Sequence, residues 1–215
     1  MCIRDSYGAF LADGSEYTGA YAPSSDASLA DFRTNMKDFH RARIVALLNA
    51  GADMLAIETQ PCLAEIEALV EMLAEEFPGA RAWVSCTVRE GNSGVVILSD
   101  GASLQAVCEV LNSSEQIFAL GVNCCSKSIV APALREIRKW TAKPLVAYPN
   151  SGEEWDAQRK VWKGLKAGEE KSWEVFVAEW RALGAVLIGG CCRTTPDDIR
   201  TVSYTHLTLP TKRIV

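Results

Sequence analysis

The stretch that decides the fold lies near the end of the chain and reads Ala185-Val-Leu-Ile-Gly-Gly-Cys-Cys-Arg-Thr-Thr-Pro196. The apolar residues 186–188 predict a buried strand, and the Thr-Pro pair predicts the start of a helix. Gly189 and Gly190 carry no Cβ atom, so the backbone between these elements can turn sharply and approach whatever the thiols hold. The stretch therefore predicts a strand that presents two adjacent thiols at its carboxyl end.

A second cysteine pair follows a run of the same kind. Residues 117–122 are predicted to form a strand, and Cys124 and Cys125 come shortly after it. Two strand ends that carry cysteines predict one metal site, with Cys124, Cys191 and Cys192 as its ligands. Cys125 stays open as an alternative ligand, and Cys191 and Cys192 could instead be a buried apolar pair or a vicinal disulfide.

Predicted strands alternate with predicted helices along the whole chain. The strands are residues 54–58, 82–87, 117–122, 144–148 and 186–188; the helices are 28–49, 61–77, 103–111, 129–140, 173–183 and a segment from 196; the intervening residues, including 7–17, 88–98 and 153–172, are loops. Such alternation predicts parallel strands with right-handed crossovers, either in a doubly wound sheet or in a (β/α)8 barrel. A glycine-rich phosphate loop follows none of these strands, which argues against a nucleotide-binding doubly wound fold.

Every predicted strand ends in chemically capable side chains. These are Glu58, residues 85–87, Asn123 with Cys124, Tyr148 with Asn150, and Cys191 with Cys192. Reactive groups spread over many strand ends are typical of the carboxyl face of a barrel. We therefore predict an α/β fold that is a partial (β/α)8 TIM barrel, with about five of its eight βα units, strands 4 to 8.

Composition limits the class of protein. The chain has 215 residues, of which 48% are hydrophobic and 23% charged, as expected for one globular domain. Its net charge of −5 and the lack of a basic cluster predict no nucleic-acid partner. The sequence contains neither a membrane-length apolar run nor a signal-peptide pattern, so we expect a cytoplasmic protein without a membrane partner. In that compartment the 8 cysteines are expected to be metal ligands and free thiols.

Both ends of the sequence read differently from the rest. Residues 1–6 back-translate to ATG TGT ATA AGA GAC AG, the mosaic end of a sequencing transposon, and residues 202–207 match its reverse complement. We predict that residues 1–6 and 202–215 are adapter-derived and that 7–201 is the natural, truncated barrel domain. That domain keeps one histidine, His40, which is predicted to be structural, so a multi-histidine metal site is excluded.

Three cysteine thiolates predict a particular kind of metal chemistry. Catalytic zinc typically keeps three protein ligands and one open position. Three thiolates give Zn²⁺ a net charge of −1, which makes it a poor Lewis acid but lets it bind an incoming thiol in its deprotonated form. The pattern therefore predicts a thiolate that attacks an electrophilic carbon.

Several motifs resemble one family. Gly121-Val-Asn-Cys124 and Gly189-Gly-Cys-Cys-Arg-Thr-Thr-Pro-Asp-Asp-Ile199 resemble the zinc motifs of the homocysteine S-methyltransferase family. Residues 7–17, 56–59 and 148–153 are similar to its branch that uses S-methylmethionine. This likeness covers essentially all of residues 7–201.

The resemblance implies a zinc-dependent (β/α)8 barrel that transfers a methyl group from the sulfonium donor S-methylmethionine to homocysteine and forms methionine. It also implies site residues: Cys124, Cys191 and Cys192 for zinc, Glu58 for the amino group of homocysteine, Asn123 for the pocket, and Tyr148, Asn150 and Arg193 as further candidates. Glu58 could alternatively be a strand-end carboxylate that stabilises a neighbouring helix N-terminus.

Other functions stay open at this point. The donor could be betaine, an adenosyl sulfonium, or a methylated corrinoid or folate, and the chain could instead be a non-catalytic zinc-binding, thiol-binding or redox domain. The family's first three strands, with an acidic residue near the first, have no counterpart here. An incomplete barrel leaves open sheet edges, so we expect the 215-residue chain alone to be poorly soluble or inactive.

Overall fold

A six-stranded parallel sheet forms the centre of the molecule. The computed structural model describes residues 3–9, 13–23, 26–156, 159–165, 167–169 and 171–207. The sheet strands, in their order across the sheet, are β1 (Ile3–Tyr7), β2 (Met54–Gln60), β3 (Ala82–Cys86), β6 (Ile117–Asn123), β7 (Leu145–Tyr148) and β10 (Ala185–Ile188). Two antiparallel hairpins lie outside it: β4 (Val88–Glu90) with β5 (Val96–Leu98), and β8 (Glu153–Asp156) with β9 (Val161–Leu165).

Helices connect the sheet strands and cover the sheet. They are α1 (Asp26–Asn49), α2 (Leu63–Glu76), α3 (Leu104–Asn112), α4 (Lys127–Arg138), α5 (Trp173–Ala182) and α6 (Pro196–Leu207). Apolar side chains of α2 to α5 pack with those of the central strands in one core, which includes Leu69, Leu111, Leu120, Leu134 and Trp180. The predicted parallel α/β fold is confirmed. Within the described residues, each helix is too short or too polar to cross a membrane.

Local signals set the ends of several helices where the sequence predicted them. Gly51 has φ 82° just after α1, and Gly184 has φ 94° just after α5, a conformation that glycine adopts easily. Ser103 precedes α3, and its hydroxyl accepts a hydrogen bond from the Ala106 N–H at 3.1 Å. These residues fix where each crossover returns to the sheet.

Three elements correct the sequence predictions. β1 adds a sixth strand to the five that were predicted; its residues show no apolar alternation, and it joins the sheet through backbone pairing with β2. The segments 88–98 and 153–172 contain hairpins, although both were predicted to be loops. Residues 10–12 of the predicted loop 7–17, and residues 1–2 and 208–215 of the predicted adapter ends, lie outside the described residues.

His40 has the structural position that the sequence predicted. Its ring is fully buried in α1, with Nδ1 2.9 Å from Ser6 Oγ and Nε2 2.7 Å from Glu65 Oε1. The same Glu65 oxygen accepts a hydrogen bond from the Ala9 N–H at 2.7 Å. His40 therefore joins α1 to the end of β1 and to α2.

Candidate metal centre and substrate site

The parallel sheet brings the predicted site residues to one edge. The carboxyl ends of parallel strands point the same way, and the pairing places Asn123 of β6 beside Tyr148 of β7. Glu58 lies near the end of β2, and Cys124 follows β6 directly. Cys191 comes three residues after the end of β10. Residues far apart in the sequence therefore meet along one edge.

Three thiols form a compact cluster at this edge. The Sγ atoms of Cys124, Cys191 and Cys192 all lie within 4.8 Å of one another, and those of Cys124 and Cys192 are 3.8 Å apart. The side chain of Cys125 instead packs in the hydrophobic core. Between the two cysteines that the sequence left open, the structure therefore brings Cys124 into the cluster.

The loop that carries Cys191 and Cys192 is fixed by the neighbouring β7 loop. The Cys191 N–H donates to the Pro149 carbonyl at 2.7 Å, and the Cys192 N–H donates to Asn150 Oδ1 at 3.1 Å. The Asn150 N–H in turn donates to the Cys125 carbonyl at 2.9 Å. Asn150, a candidate substrate residue from the sequence, thus positions the loop after β10.

Electrostatics within the cluster favours one thiolate. Hydrogen bonds from Cys124 and then from Cys191 lower the pKa of Cys192 to about 3. Hydrogen bonding to Cys191 and Cys192, followed by burial, raises the pKa of Cys124. For Cys191, the bond from Cys124 lowers the pKa, but the bond with Cys192, burial, and the charges of Cys192 and Glu58 raise it to about 11. Hydrogen bonding within the cluster therefore favours the thiolate form at Cys192.

Glu58 and Tyr148 lie together beside the thiols. The Tyr148 hydroxyl accepts a hydrogen bond from Trp83 Nε1 at 3.1 Å and is also hydrogen-bonded to Ser85 Oγ. Burial, and then the negative charge of Glu58, raise the pKa of Tyr148. Glu58 itself is half-buried and also acts electrostatically on Cys191. A partly accessible carboxylate next to the thiols suits the recognition of an ammonium group.

Both polar atoms of the Asn123 side chain form hydrogen bonds with Thr59. Its Oδ1 accepts the Thr59 N–H at 2.8 Å, and its Nδ2 donates to Thr59 Oγ1 at 2.7 Å. The side chain is fully buried, and Thr59 has the left-handed φ of 57° that a β-branched residue rarely adopts. The family resemblance implied a place for Asn123 in the pocket lining, which stays a prediction; in the structure Asn123 also holds the residue that follows Glu58.

Arg193 forms an ion pair next to the thiol loop. Its Nε donates to Glu153 Oε2 at 2.7 Å, and a terminal nitrogen lies 3.2 Å from Glu153 Oε1. Both side chains are at least partly exposed, and Glu153 begins β8. The pair joins the thiol loop to the hairpin, and the geometry gives Arg193 a positioning role.

A turn that sequence reasoning classed as a surface connection lies against the thiols. Ser15–Tyr17 form one 3-10 turn, and the Tyr17 hydroxyl lies 3.9 Å from Cys124 Sγ. Tyr17 and Asn150 also line a cavity of about 600 Å³ that extends between the β4–β5 hairpin and the start of α4. The family likeness of residues 7–17 was the signal that marked this turn.

The fold and site define a parallel α/β protein with a three-thiol cluster at the carboxyl edge of its sheet. Comparison with known proteins gives the particular family: the model of the homocysteine S-methyltransferase family matches residues 5–205. The chain therefore belongs to the homocysteine S-methyltransferase family.

Relatives in bacteria and plants are similar over most of the chain. A homocysteine S-methyltransferase of Escherichia coli (strain K12) is 48% identical over 194 residues, and homocysteine S-methyltransferase 1 of Brassica oleracea var. italica is 44% identical over 198. These matches cover 90% and 92% of the chain but 58% of each relative, so the chain spans little more than half of their length. The crystal structure of the metallated form of the E. coli homocysteine methyltransferase MmuM superposes with a TM-score of 0.72 at 41% identity, over 90% of this chain and 56% of that one.

Proposed function

We propose that this chain carries the metal-binding and homocysteine-binding part of an enzyme that methylates homocysteine from S-methylmethionine and forms methionine. The observation that carries the proposal is the cluster of three thiols, with Sγ atoms within 4.8 Å of one another, in a member of this family. Because the chain spans 58% of the relatives' length, the activity is proposed for the complete protein.

The thiol cluster fits a zinc ion. A tetrahedral ion with Zn–S bonds of about 2.3 Å separates its sulfur ligands by about 3.8 Å. Cys124 Sγ and Cys192 Sγ are 3.8 Å apart, and Cys191 Sγ is within 4.8 Å of both. Cys124, Cys191 and Cys192 would hold zinc, which supplies one function when bound: it keeps an incoming thiol deprotonated at neutral pH.

The residues around the cluster would bind and orient homocysteine. We assign Glu58 to the ammonium group, since its carboxylate lies beside the thiols and is partly accessible. Tyr148 stays protonated because burial raises its pKa, and its hydroxyl borders Glu58. Asn123 would keep Glu58 in place through Thr59. Asn150 would do the same for Cys192.

The transfer needs no acid at the leaving group. The homocysteine thiolate forms a bond to the methyl carbon of S-methylmethionine, while the bond from that carbon to the sulfonium sulfur breaks. The electron pair stays on the leaving sulfur, which departs as neutral methionine. This agrees with a site whose chemistry rests on thiols and carboxylates rather than on a general acid.

We also propose that residues 7–201 are part of a (β/α)8 barrel and that residues 1–6 and 202–215 are adapter-derived. Sheet strands that are neighbours both in sequence and in space support the barrel, because a doubly wound sheet reverses its strand order. Genomic codons that encode the same end residues would contradict the adapter assignment.

The 7 cysteines of the described residues are free thiols, which supports a cytoplasmic location.

Metal content and methyl transfer test the proposed function. We expect the complete protein to hold about one zinc and to methylate homocysteine with S-methylmethionine in preference to betaine, an adenosyl sulfonium or a methylated corrinoid or folate. Cys191→Ser should lose both zinc and activity, whereas Cys125→Ala, outside the cluster, should keep both. Full activity without metal would contradict the proposal, and reversible oxidation of Cys191 and Cys192 without transfer would favour a redox domain.

A further inference from the structure

We propose that Glu16 recognises the positively charged sulfonium group of the methyl donor, an inference that rests on the proposed function. Glu16 belongs to the Ser15–Tyr17 turn. The turn is held firmly, since Thr87 Oγ1 at the end of β3 donates to the Glu16 carbonyl at 2.6 Å. On its other side, the Tyr17 hydroxyl lies 3.9 Å from Cys124 Sγ. The turn therefore presents Glu16 next to the thiol cluster.

The Glu16 carboxylate lacks one of the hydrogen bonds that a buried oxygen normally makes. Its Oε2 atom is buried, and among the described residues it has no hydrogen-bond partner. Burial raises the pKa of Glu16, and the charges of Asp13 and Cys192 add to this effect, in agreement with a carboxylate that is partly removed from solvent near the thiols. Buried polar atoms are nearly always satisfied, so an orphaned carboxylate oxygen indicates that a ligand completes it.

S-methylmethionine carries two positively charged groups, the sulfonium and the ammonium group, and their distances from the thiols distinguish them. The sulfonium sulfur must lie in line with the methyl carbon and the attacking thiolate, so it must come within a few ångströms of Cys124 and Cys192. The donor's ammonium group is three carbon atoms away from that sulfur. A sulfonium has no hydrogen to donate and is stabilised by nearby negative charge and by aromatic faces. Glu16 supplies the negative charge, and the Tyr17 hydroxyl places a second side chain of the same turn beside the thiols.

The expected effect is on donor binding rather than on the chemical step. The positive charge of the sulfonium disappears during transfer, so a carboxylate beside it stabilises the bound donor more than the transition state. Neutral methionine then gains little from Glu16, which favours its release. The same reasoning predicts that loss of the Glu16 charge raises the KM of the donor and does not lower kcat.

The test uses Glu16→Gln in the zinc-loaded complete protein. Glutamine keeps the shape, and among the described residues the Oε2 atom that it replaces has no hydrogen-bond partner. We expect the KM of S-methylmethionine, and its Kd measured by calorimetry without homocysteine, to rise at least about tenfold. The KM of homocysteine and the Kd of methionine should stay within about twofold. Asp13→Asn removes an exposed carboxylate next to the same turn but keeps an oxygen that can accept the Ser15 N–H, so it serves as the matched control and should leave all four values within about twofold.

Each other outcome overturns one proposal or the other. An unchanged KM of the donor in active Glu16→Gln enzyme overturns the role of Glu16 alone. An equal rise in the Kd of methionine does the same, because it would show that Glu16 binds the ammonium group. Glu16→Asp keeps the charge one methylene further back and should raise the donor KM less than Glu16→Gln; an equal rise would show that shape rather than charge matters. Failure of the wild-type protein to methylate homocysteine overturns the proposed function instead.

Discussion

Two adjacent glycines of the thiol motif have different surroundings. A Cβ atom on Gly190 would lie 2.5 Å from Thr194 Oγ1 and 2.7 Å from Thr194 Cβ, whereas on Gly189 the nearest atom would be Tyr148 Cβ at 3.6 Å. Thr194 cannot easily yield, because its hydroxyl donates to the Cys191 carbonyl at 2.7 Å. Gly190 is therefore required by packing, and Gly189 is not.

Alanine substitutions at these two positions should separate them. Gly190→Ala is expected to displace the thiol loop, to lower the free energy of unfolding by about 1–3 kcal/mol and to weaken zinc binding at least about tenfold. Gly189→Ala should cost less than about 1 kcal/mol. Urea unfolding and zinc competition with a chelator measure both effects. Equal losses in the two variants would contradict this interpretation.

At the same scale, sequence reasoning found which side chains meet but not what each one does. Strand-end position indicated that cysteines after β6 and after β10 meet, because parallel strands of one sheet end at the same edge, but it left Cys125 open beside Cys124. It could not show that both polar atoms of Asn123 are used by Thr59, 64 residues away, or that Asn150 is bonded to Cys192. Such partners depend on side-chain geometry across the sheet, which periodicity does not encode.

The start of α4, next to the thiol cluster, depends on one carboxylate from the segment between β9 and α5. Glu169 is 1% exposed, and its two oxygens accept the N–H groups of Lys127 and Ser128 at 2.9 Å each. These N–H groups have no partner within the helix, and the negative charge interacts favourably with the helix dipole. Glu169 thus fixes the helix that follows Cys124 and Cys125.

Removing that charge should destabilise the protein. Glu169→Gln keeps at most one acceptor and is expected to lower the free energy of unfolding by about 1–2 kcal/mol, as judged by urea unfolding. Glu174→Gln is the matched control, because Glu174 also lies in the first turn of a helix but is exposed. The control should lose at most about 0.5 kcal/mol, because an exposed charge interacts only weakly with the helix dipole, and a similar loss in both variants would argue against the capping role of Glu169.

Elements with an apolar run or a helical period could be predicted from the sequence, whereas β1 and the two hairpins could not. The helices, and the sheet strands β2, β3, β6, β7 and β10, carry apolar periods or runs that the sequence shows directly. The hairpin strands β4 and β5 have three residues each, and β1 is paired only with β2 in the sheet. Backbone pairing specifies such strands more than their side chains do, so the hydrophobic pattern of the sequence does not predict them.

At the scale of the whole molecule, the sheet has two open edges. β10 pairs only with β7, and its Val186 and Leu187 side chains are 56% and 37% exposed. Strands of a closed parallel barrel are normally covered on both faces and paired on both sides. The described chain therefore exposes an apolar strand edge, which is a template for association with another copy.

We expect the 215-residue chain on its own to self-associate through this edge. Val186→Lys should raise the soluble fraction on expression and lower the apparent mass in light scattering, because a charge on an edge strand opposes edge-to-edge pairing. Val45→Lys adds the same charge at a valine of α1 that is 39% exposed, so it controls for net charge and should change association little. A wild-type chain that stays monomeric, or equal improvement from both variants, would show that the β10 edge does not drive association.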